Sequence, residues 1–205
     1  IECCKLAQNH NYEEVNLNVG CPSKAVQKGN FGACLMKRGH VVHDCLKAML
    51  DSCDKEISMK CRIGINNQTS YNFFRDFIDI STQSGIKIVY VHARNAILGN
   101  LNPKKNRTVP PLKYEYLSKI KKDFPKIQFI INGGINSLDQ AYEFCNKYDG
   151  VMVGRLIQSN PFCLLDVDER FFNKTKDKQE YKNIVLEYFN YIKQKIGEDS
   201  IYRLL

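Results

Sequence analysis

Short apolar runs alternate along the chain with longer stretches whose apolar positions recur every three to four residues. Five of the runs read as strands, at residues 14–18, 57–62, 87–92, 128–132 and 150–154. Helical patterns lie between them, for example at 42–53, 71–84, 114–123 and 138–146. Ser137 followed by Gln140 has the form of a capping box opening the last of these. Strand–helix alternation implies a parallel sheet with right-handed crossovers. A barrel and an open doubly wound sheet both satisfy it.

The loops separate the two. Cys21, Lys60 with Arg62, His92 with Arg94, Asn132-Gly133-Gly134 and Gly154-Arg155 all fall at carboxyl ends of strands. An open sheet binds ligands mainly at its switch point, whereas a barrel gathers every strand end around one mouth. The expected fold class is therefore α/β, a (β/α)8 TIM barrel present only as about its last five units. Such barrels run to roughly 250 residues, so about three units are expected upstream of Ile1. The missing initiator Met agrees with a piece of a longer protein.

The pattern changes near Pro161. Residues 179–196 read as a helix with Tyr181, Ile184, Val185, Tyr188, Phe189, Ile192 and Ile196 on one face. Asp177 and Glu180 suit its start and Gly197 its end. We expect residues 1–165 to form the C-terminal part of the barrel, and 166–205 a linker and the start of a helical domain. A last barrel helix is the plainer reading of the same pattern.

Composition adds little and excludes some classes. Apolar residues make up 43%, normal for a globular chain, and no apolar run reaches membrane-spanning length. Thirty Lys+Arg against 22 Asp+Glu give +8, which leans toward a polyanionic partner. The nine cysteines are odd in number, scattered and never spaced Cys-x-x-Cys. That argues against a disulfide framework or a zinc site and for an intracellular reducing compartment, cytoplasm or organelle. Cys45, Cys61 and Cys145 sit within helix or strand patterns and read as small core residues. Cys34 reads as structural, on a helix. Cys21 differs: Gly20 and Pro22 flank it at a strand end and would hold its thiol at the mouth.

Other candidates carry a functional and a plain reading side by side. Gly133, Gly134 and Gly154 would let backbone N–H groups approach a phosphate, with helix starts and Arg155 adding positive charge. Each alone is more often a plain turn, but together they close the last two strands, the usual phosphate site of such barrels. Lys60 inside an apolar strand must snorkel, pair or point into the mouth. A cation there would suit a reduced flavin, an enolate or a phosphate; a surface lysine is the alternative. His92 and Arg94 alternate onto one face of a strand end. The run "PKKNR" at 103–107 and the lysines of 113–126 place many cations near one loop. Lys119, Lys121 and Lys122 also fit a solvated helix face.

Five stretches in order, "NLNVGCPSKAVQKGNFGACLMK", "MKCRIG", "VHARNAILGNLNPKKNRTVPPLKYEYL", "FIINGGINS" and "DGVMVGRLIQSNP", resemble the dihydrouridine synthase family. The segment with "LNPKKNR" and "PPLKY" is similar to the A-type subfamily, which acts in the D loop of tRNA around position 20. The resemblance implies an FMN-bearing barrel followed by a helical domain, NADPH as reductant and tRNA as substrate. A monomer with no metal and no membrane is expected. It implies Cys21 as the catalytic acid. It places Lys60, His92, Asn132, Gly133, Gly134, Gly154 and Arg155 on flavin-binding positions. Asn18, Arg94, Lys104 and Arg107 fall toward tRNA. Upstream family features, including a flavin-contacting glutamine, have no counterpart in this chain.

That reading accounts for the cysteine. Reducing the C5–C6 bond of uracil needs a hydride at C6, which reduced flavin supplies, and a proton at C5. A thiol is mostly protonated at neutral pH and can donate that proton. A nucleophilic cysteine would need a nearby base, and none is evident locally. Swinging the target base out of folded tRNA costs a few kcal/mol, which a basic rim would partly offset. Two other readings remain open: another FMN- or phosphate-binding barrel oxidoreductase on a small substrate, and a non-catalytic RNA-binding relative.

Overall fold

Alternation within the strands becomes two faces of one sheet. The structure, a computed structural model, describes residues 1–99, 101–174 and 181–195. The strands are β1 (Glu14–Asn18), β2 (Glu56–Arg62), β3 (Ile88–His92), β4 (Gln128–Asn132) and β5 (Gly150–Met152). All neighbours are parallel, in the order β1-β2-β3-β4-β5. An order that never reverses has no switch point, so the sheet is wound as a barrel is, not as a doubly wound sheet. The fold is α/β and partial TIM-barrel-like.

Helices return the chain between strands. They are α1 (Glu2–Gln8), α2 (Lys24–Lys28), α3 (Gly39–Leu50), α4 (Tyr71–Thr82), α5 (Tyr114–Asp123) and α6 (Leu138–Cys145), followed by α7 (Arg155–Ser159), α8 (Val167–Phe172) and α9 (Tyr181–Lys195). Ile57, Met59 and Cys61 of β2, Val89 and Val91 of β3, and Phe129 and Ile131 of β4 are buried on the helix side. Val42 and Leu46 of α3, Phe74 and Ile78 of α4, and Leu117 and Ile120 of α5 are buried as well. Each such side chain contributes about 1.5–3 kcal/mol by leaving water. Ser70 caps α4 by accepting from Phe73 N at 3.2 Å.

Three local expectations change in detail. Cys45, expected in the core, is exposed on α3. Ser137 Oγ accepts from Gln140 N at 3.1 Å, but Gln140 Oε1 takes the N–H of Asn136 at 2.9 Å, one residue outside the expected box. Cys34 lies in a 3-10 segment, Gly32–Lys37, rather than an α-helix. Gly32, which opens that segment, has φ +55, outside the right-handed region, so a regular α-helix cannot run through it. The short helices α1 and α2 had no clear periodicity to predict them.

By its contacts the chain divides into two compact units, Ile1–Arg155 and Leu156–Leu205. In the second, α9 buries Ile192 and leaves Val185, Leu186, Phe189 and Tyr191 exposed. Tyr188 and Tyr191 stack with centroids 6.5 Å apart. The expected caps Asp177, Glu180 and Gly197, and Ile196, lie outside the described residues, as does the side chain of Tyr181. No described helix is long and apolar enough to cross a membrane.

Candidate active site

Opposite the apolar layer the sheet is polar. Arg62, His92, Asn132 and Met152 stand level across β2 to β5. One step toward the amino ends, Asn18, Lys60 and Tyr90 form the next row. Residues two apart share a face, so Lys60 and Arg62 flank Cys61, which is sealed on the helix side. Deeper still, Tyr90 donates to Glu14 Oε2 at 2.9 Å and Ser58 donates to Glu14 Oε1, a polar floor beneath the site.

The mouth is electropositive. Burial lowers the Lys60 ammonium from its ordinary range, and the Arg62 charge lowers it further. Burial, then Arg107 and Arg94, bring Arg62 down to about 10, still a cation at neutral pH. His92 is pushed down to about 2, by burial first and then by Arg62, Lys60, Arg94 and Arg155, so its imidazole is neutral. Among the described residues no carboxylate is among the charges acting on these three groups. Such a mouth attracts phosphate-bearing ligands.

Cys21 stands at its edge. Asn18 Oδ1 accepts from Gly20 N at 3.0 Å and turns the chain as β1 ends. Cys21 follows, half-buried, its Sγ donating to Ser23 Oγ at 3.5 Å. Ser23 also caps α2, accepting from Val26 N at 3.4 Å. Ala33 N donates to the Cys21 carbonyl at 2.9 Å, and a Cβ on Gly32 would sit 2.6 Å from that same oxygen. Gly32 must therefore be glycine for the loop to close, which gives the second half of the opening motif its purpose.

The glycine pair lies beside His92. Asn132 Nδ2 donates to Met152 O at 2.7 Å, tying β4 to β5. Gly133 has φ +105, and a Cβ there would lie 2.9 Å from His92 Nε2. Tyr114 donates to the Gly133 carbonyl at 2.7 Å. His92 Nδ1 is sealed from solvent without a hydrogen-bond partner among the described residues. A buried ring nitrogen left unpaired costs about 1–3 kcal/mol, a debt that a bound partner would remove. Gly154 is open, with nothing within 4 Å of a Cβ. The helix after it, α7, has only five residues, so its dipole adds little to an anion site.

A long insertion between β3 and α5 forms the rim. Lys104 and Arg107 are exposed on it, and Asn106 between them is fully buried. Arg94 donates through Nη1 to the Pro110 carbonyl, so part of its guanidinium is committed to the loop. Arg155 Nη2 donates to Arg107 O at 3.2 Å, leaving its other N–H groups for a ligand. Lys121 pairs with Asp149 at 2.7 Å and Lys119 lies 5.5 Å from the centroid of the Tyr71 ring, so these two serve local packing.

Cys21, Lys60, His92, Asn132, the strand-end glycines, Asn18, Arg94, Lys104, Arg107 and Arg155 thus lie at the strand ends or on the rim, whereas Lys119 and Lys121 do not. Sequence reasoning placed Arg62 at its strand end without giving it a role, and passed over Asn106, Tyr114 and Ser23. Arg62 carried a signal, two residues from Lys60 on the same face. Ser23 did too, as a cap before a short helix. The donor set fits a phosphate-bearing cofactor: cations without carboxylates, a neutral His92 with an unmet nitrogen, and glycines at the strand ends. Among the described residues no three His, Cys, Asp or Glu side chains gather as a metal-holding group.

The family model described as dihydrouridine synthase (Dus) matches residues 1–205. The tRNA-dihydrouridine(20/20a) synthase of Vibrio vulnificus is 45% identical over 199 residues, 97% of this chain and 61% of that protein. Its namesake in Salmonella typhimurium is 45% identical, covering 97% and 60%. The one in Escherichia coli is 43% identical over 200 residues, covering 97% and 58%. The chain thus spans about 60% of the length of the curated relatives it matches. A solved dihydrodipicolinate synthase from Bacillus anthracis is similar at a TM-score of 0.49 and 10% identity, over 86% of this chain and 53% of that one. That likeness is too slight to carry weight.

Proposed function

The chain belongs to the dihydrouridine synthase family, and on that premise we propose that the full-length protein is an oxidoreductase that converts uridine to 5,6-dihydrouridine in the D loop of tRNA. Positions 20 and 20a are the targets, as in the names of its relatives. The observation that carries the reading is the half-buried Cys21 thiol at the end of β1, beside a mouth of cations without a carboxylate.

FMN, recharged by NADPH, supplies the hydride for C6 of uracil when bound. Lys60, His92, Asn132, Gly133, Gly134, Gly154 and Arg155 would hold it. Lys60 brings a cation that meets no acceptor among the described residues, suited to an anionic ring. Arg155 and the glycine backbone suit the phosphate. Cys21 holds the proton destined for C5 at Sγ, and Ser23 fixes the direction of that thiol. Asn18, Arg94, Lys104 and Arg107 face the RNA, the last two as exposed phosphate contacts. Residues 1–165 serve as barrel and 166–205 as the start of a helical tRNA-binding part, whose α9 carries exposed aromatics.

The test uses the full-length protein. Purified, it is expected to be yellow, and tRNA from a deletion strain is expected to lack dihydrouridine at 20 and 20a. Wild-type protein should restore the base and Cys21→Ala should not. Unchanged dihydrouridine in the deletion strain would overturn the reading.

A further inference from the structure

Arg62 is the one Lys or Arg that is buried among the described residues, at 5% exposure. Burying a guanidinium normally calls for a carboxylate. Among the described residues no carboxylate pairs with it, and backbone carbonyls accept its hydrogen bonds instead. Nε donates to Gly20 O at 3.3 Å, and Nη1 donates to Asn95 O at 3.2 Å and Asn106 O at 2.8 Å. The acceptors come from two places: the turn before Cys21, and two points of the rim insertion, Asn95 near its start and Asn106 farther along. Carbonyls satisfy the donors without cancelling the charge, so the mouth stays positive.

Asn106 is built as the matching anchor. It is fully buried. Its Nδ2 donates to Ile97 O and Leu101 O, each at 2.9 Å, and its Oδ1 accepts from Ile97 N at 2.8 Å. That knot ties Ile97 and Leu101 to Asn106, and Lys104 and Arg107 on either side of it are exposed. Its carbonyl is then held by Arg62, whose other end holds Gly20, next to Cys21.

We propose that Arg62 is a positioning residue that couples the RNA-contacting insertion to the Cys21 loop, so that the rim and the thiol move as one. The inference rests on the assignment of Cys21 and the rim made above. It predicts that loosening the knot at Asn106 is felt at Cys21, which Asn106 does not touch.

The experiment measures alkylation of each cysteine by iodoacetamide in the full-length protein from pH 6 to 10, resolved by peptide mass spectrometry. It needs neither flavin nor tRNA, so it stands or falls separately from uridine reduction. Arg62→Lys keeps the charge and loses the fork; Asn106→Ala loses the knot. Each is expected to raise the limiting alkylation rate of Cys21 about fivefold, the scale of one lost hydrogen bond, with Cys34 unchanged. The double variant should show no more than the larger single effect, because both break one linkage. Lys105→Ala, on the same insertion but outside the knot, should leave Cys21 unchanged. Independent, multiplying effects of the two variants would overturn the coupling. So would an unchanged Cys21 rate in Asn106→Ala. Should Arg62→Lys lose its cooperative melt, Asn106→Ala against Lys105→Ala decides alone by the same criterion.

Discussion

The Cys21 thiol donates to Ser23 Oγ at 3.5 Å, and the same oxygen accepts the backbone N–H of Val26 at 3.4 Å. A helix cap therefore also serves as the rest position for the proton-bearing sulfur. The direction of the thiol is tied to the start of α2, not left to a free rotor.

Removing that sulfur should strike one half-reaction. In the full-length protein, Cys21→Ala is expected to slow single-turnover reduction of tRNA about a hundredfold or more, the usual size of a general-acid contribution. Flavin reduction by NADPH should barely change, since no proton to C5 is involved. Cys34→Ala, on the neighbouring 3-10 segment, should affect neither step. Equal rates for Cys21→Ala and the parent would refute the acid.

His92 should make stability depend on pH. It is pushed down to about 2 in the folded protein, chiefly by burial, against about 6.5 unfolded. The unfolded chain thus binds the extra proton first. Stability is full above about 6.5 and falls as pH drops toward the folded value, by up to about 1.4 kcal/mol per pH unit. Thermal melts of wild type between pH 7.5 and 5 should lose more stability than those of His92→Gln. Parallel profiles would show that His92 is not buried neutral.

The cofactor should loosen at two ends separately. Lys60→Met keeps volume and removes a half-buried cation, so FMN retention or its rate of reduction should fall. Arg155→Ala should chiefly weaken the hold on phosphate, read as a faster loss of FMN on dilution. Full flavin occupancy and unchanged reduction in both purified variants would place the site elsewhere.

On the rim, Lys104→Ala with Arg107→Ala should weaken tRNA binding and flatten its dependence on salt. Each phosphate contact releases counterions, so losing two should lower the slope of log K against log salt by roughly two. Flavin content should stay as in wild type. An unchanged slope would mean that these exposed cations do not meet the RNA backbone.

The chain's own order of residues determined the five strands to within a residue or two, because burial on one face of a strand imposes alternation that is local and visible. It also singled out Cys21, since Gly20 and Pro22 leave a cysteine there little place in a core. Strand order, by contrast, became definite only when β1 to β5 paired in sequence and excluded a switch point. Arg62 is the sharper case. Its partners, Gly20, Asn95 and Asn106, stand 33 to 44 residues away and offer only backbone carbonyls. Every residue has a carbonyl, so no residue type marks such an acceptor in advance. The same holds for Arg155, which leans on the carbonyl of Arg107, and for Gly32, required by the nearness of Cys21 O. Patterns of side chains write the elements into the sequence. Contacts to the common backbone arise only when the sheet brings distant loops to one mouth.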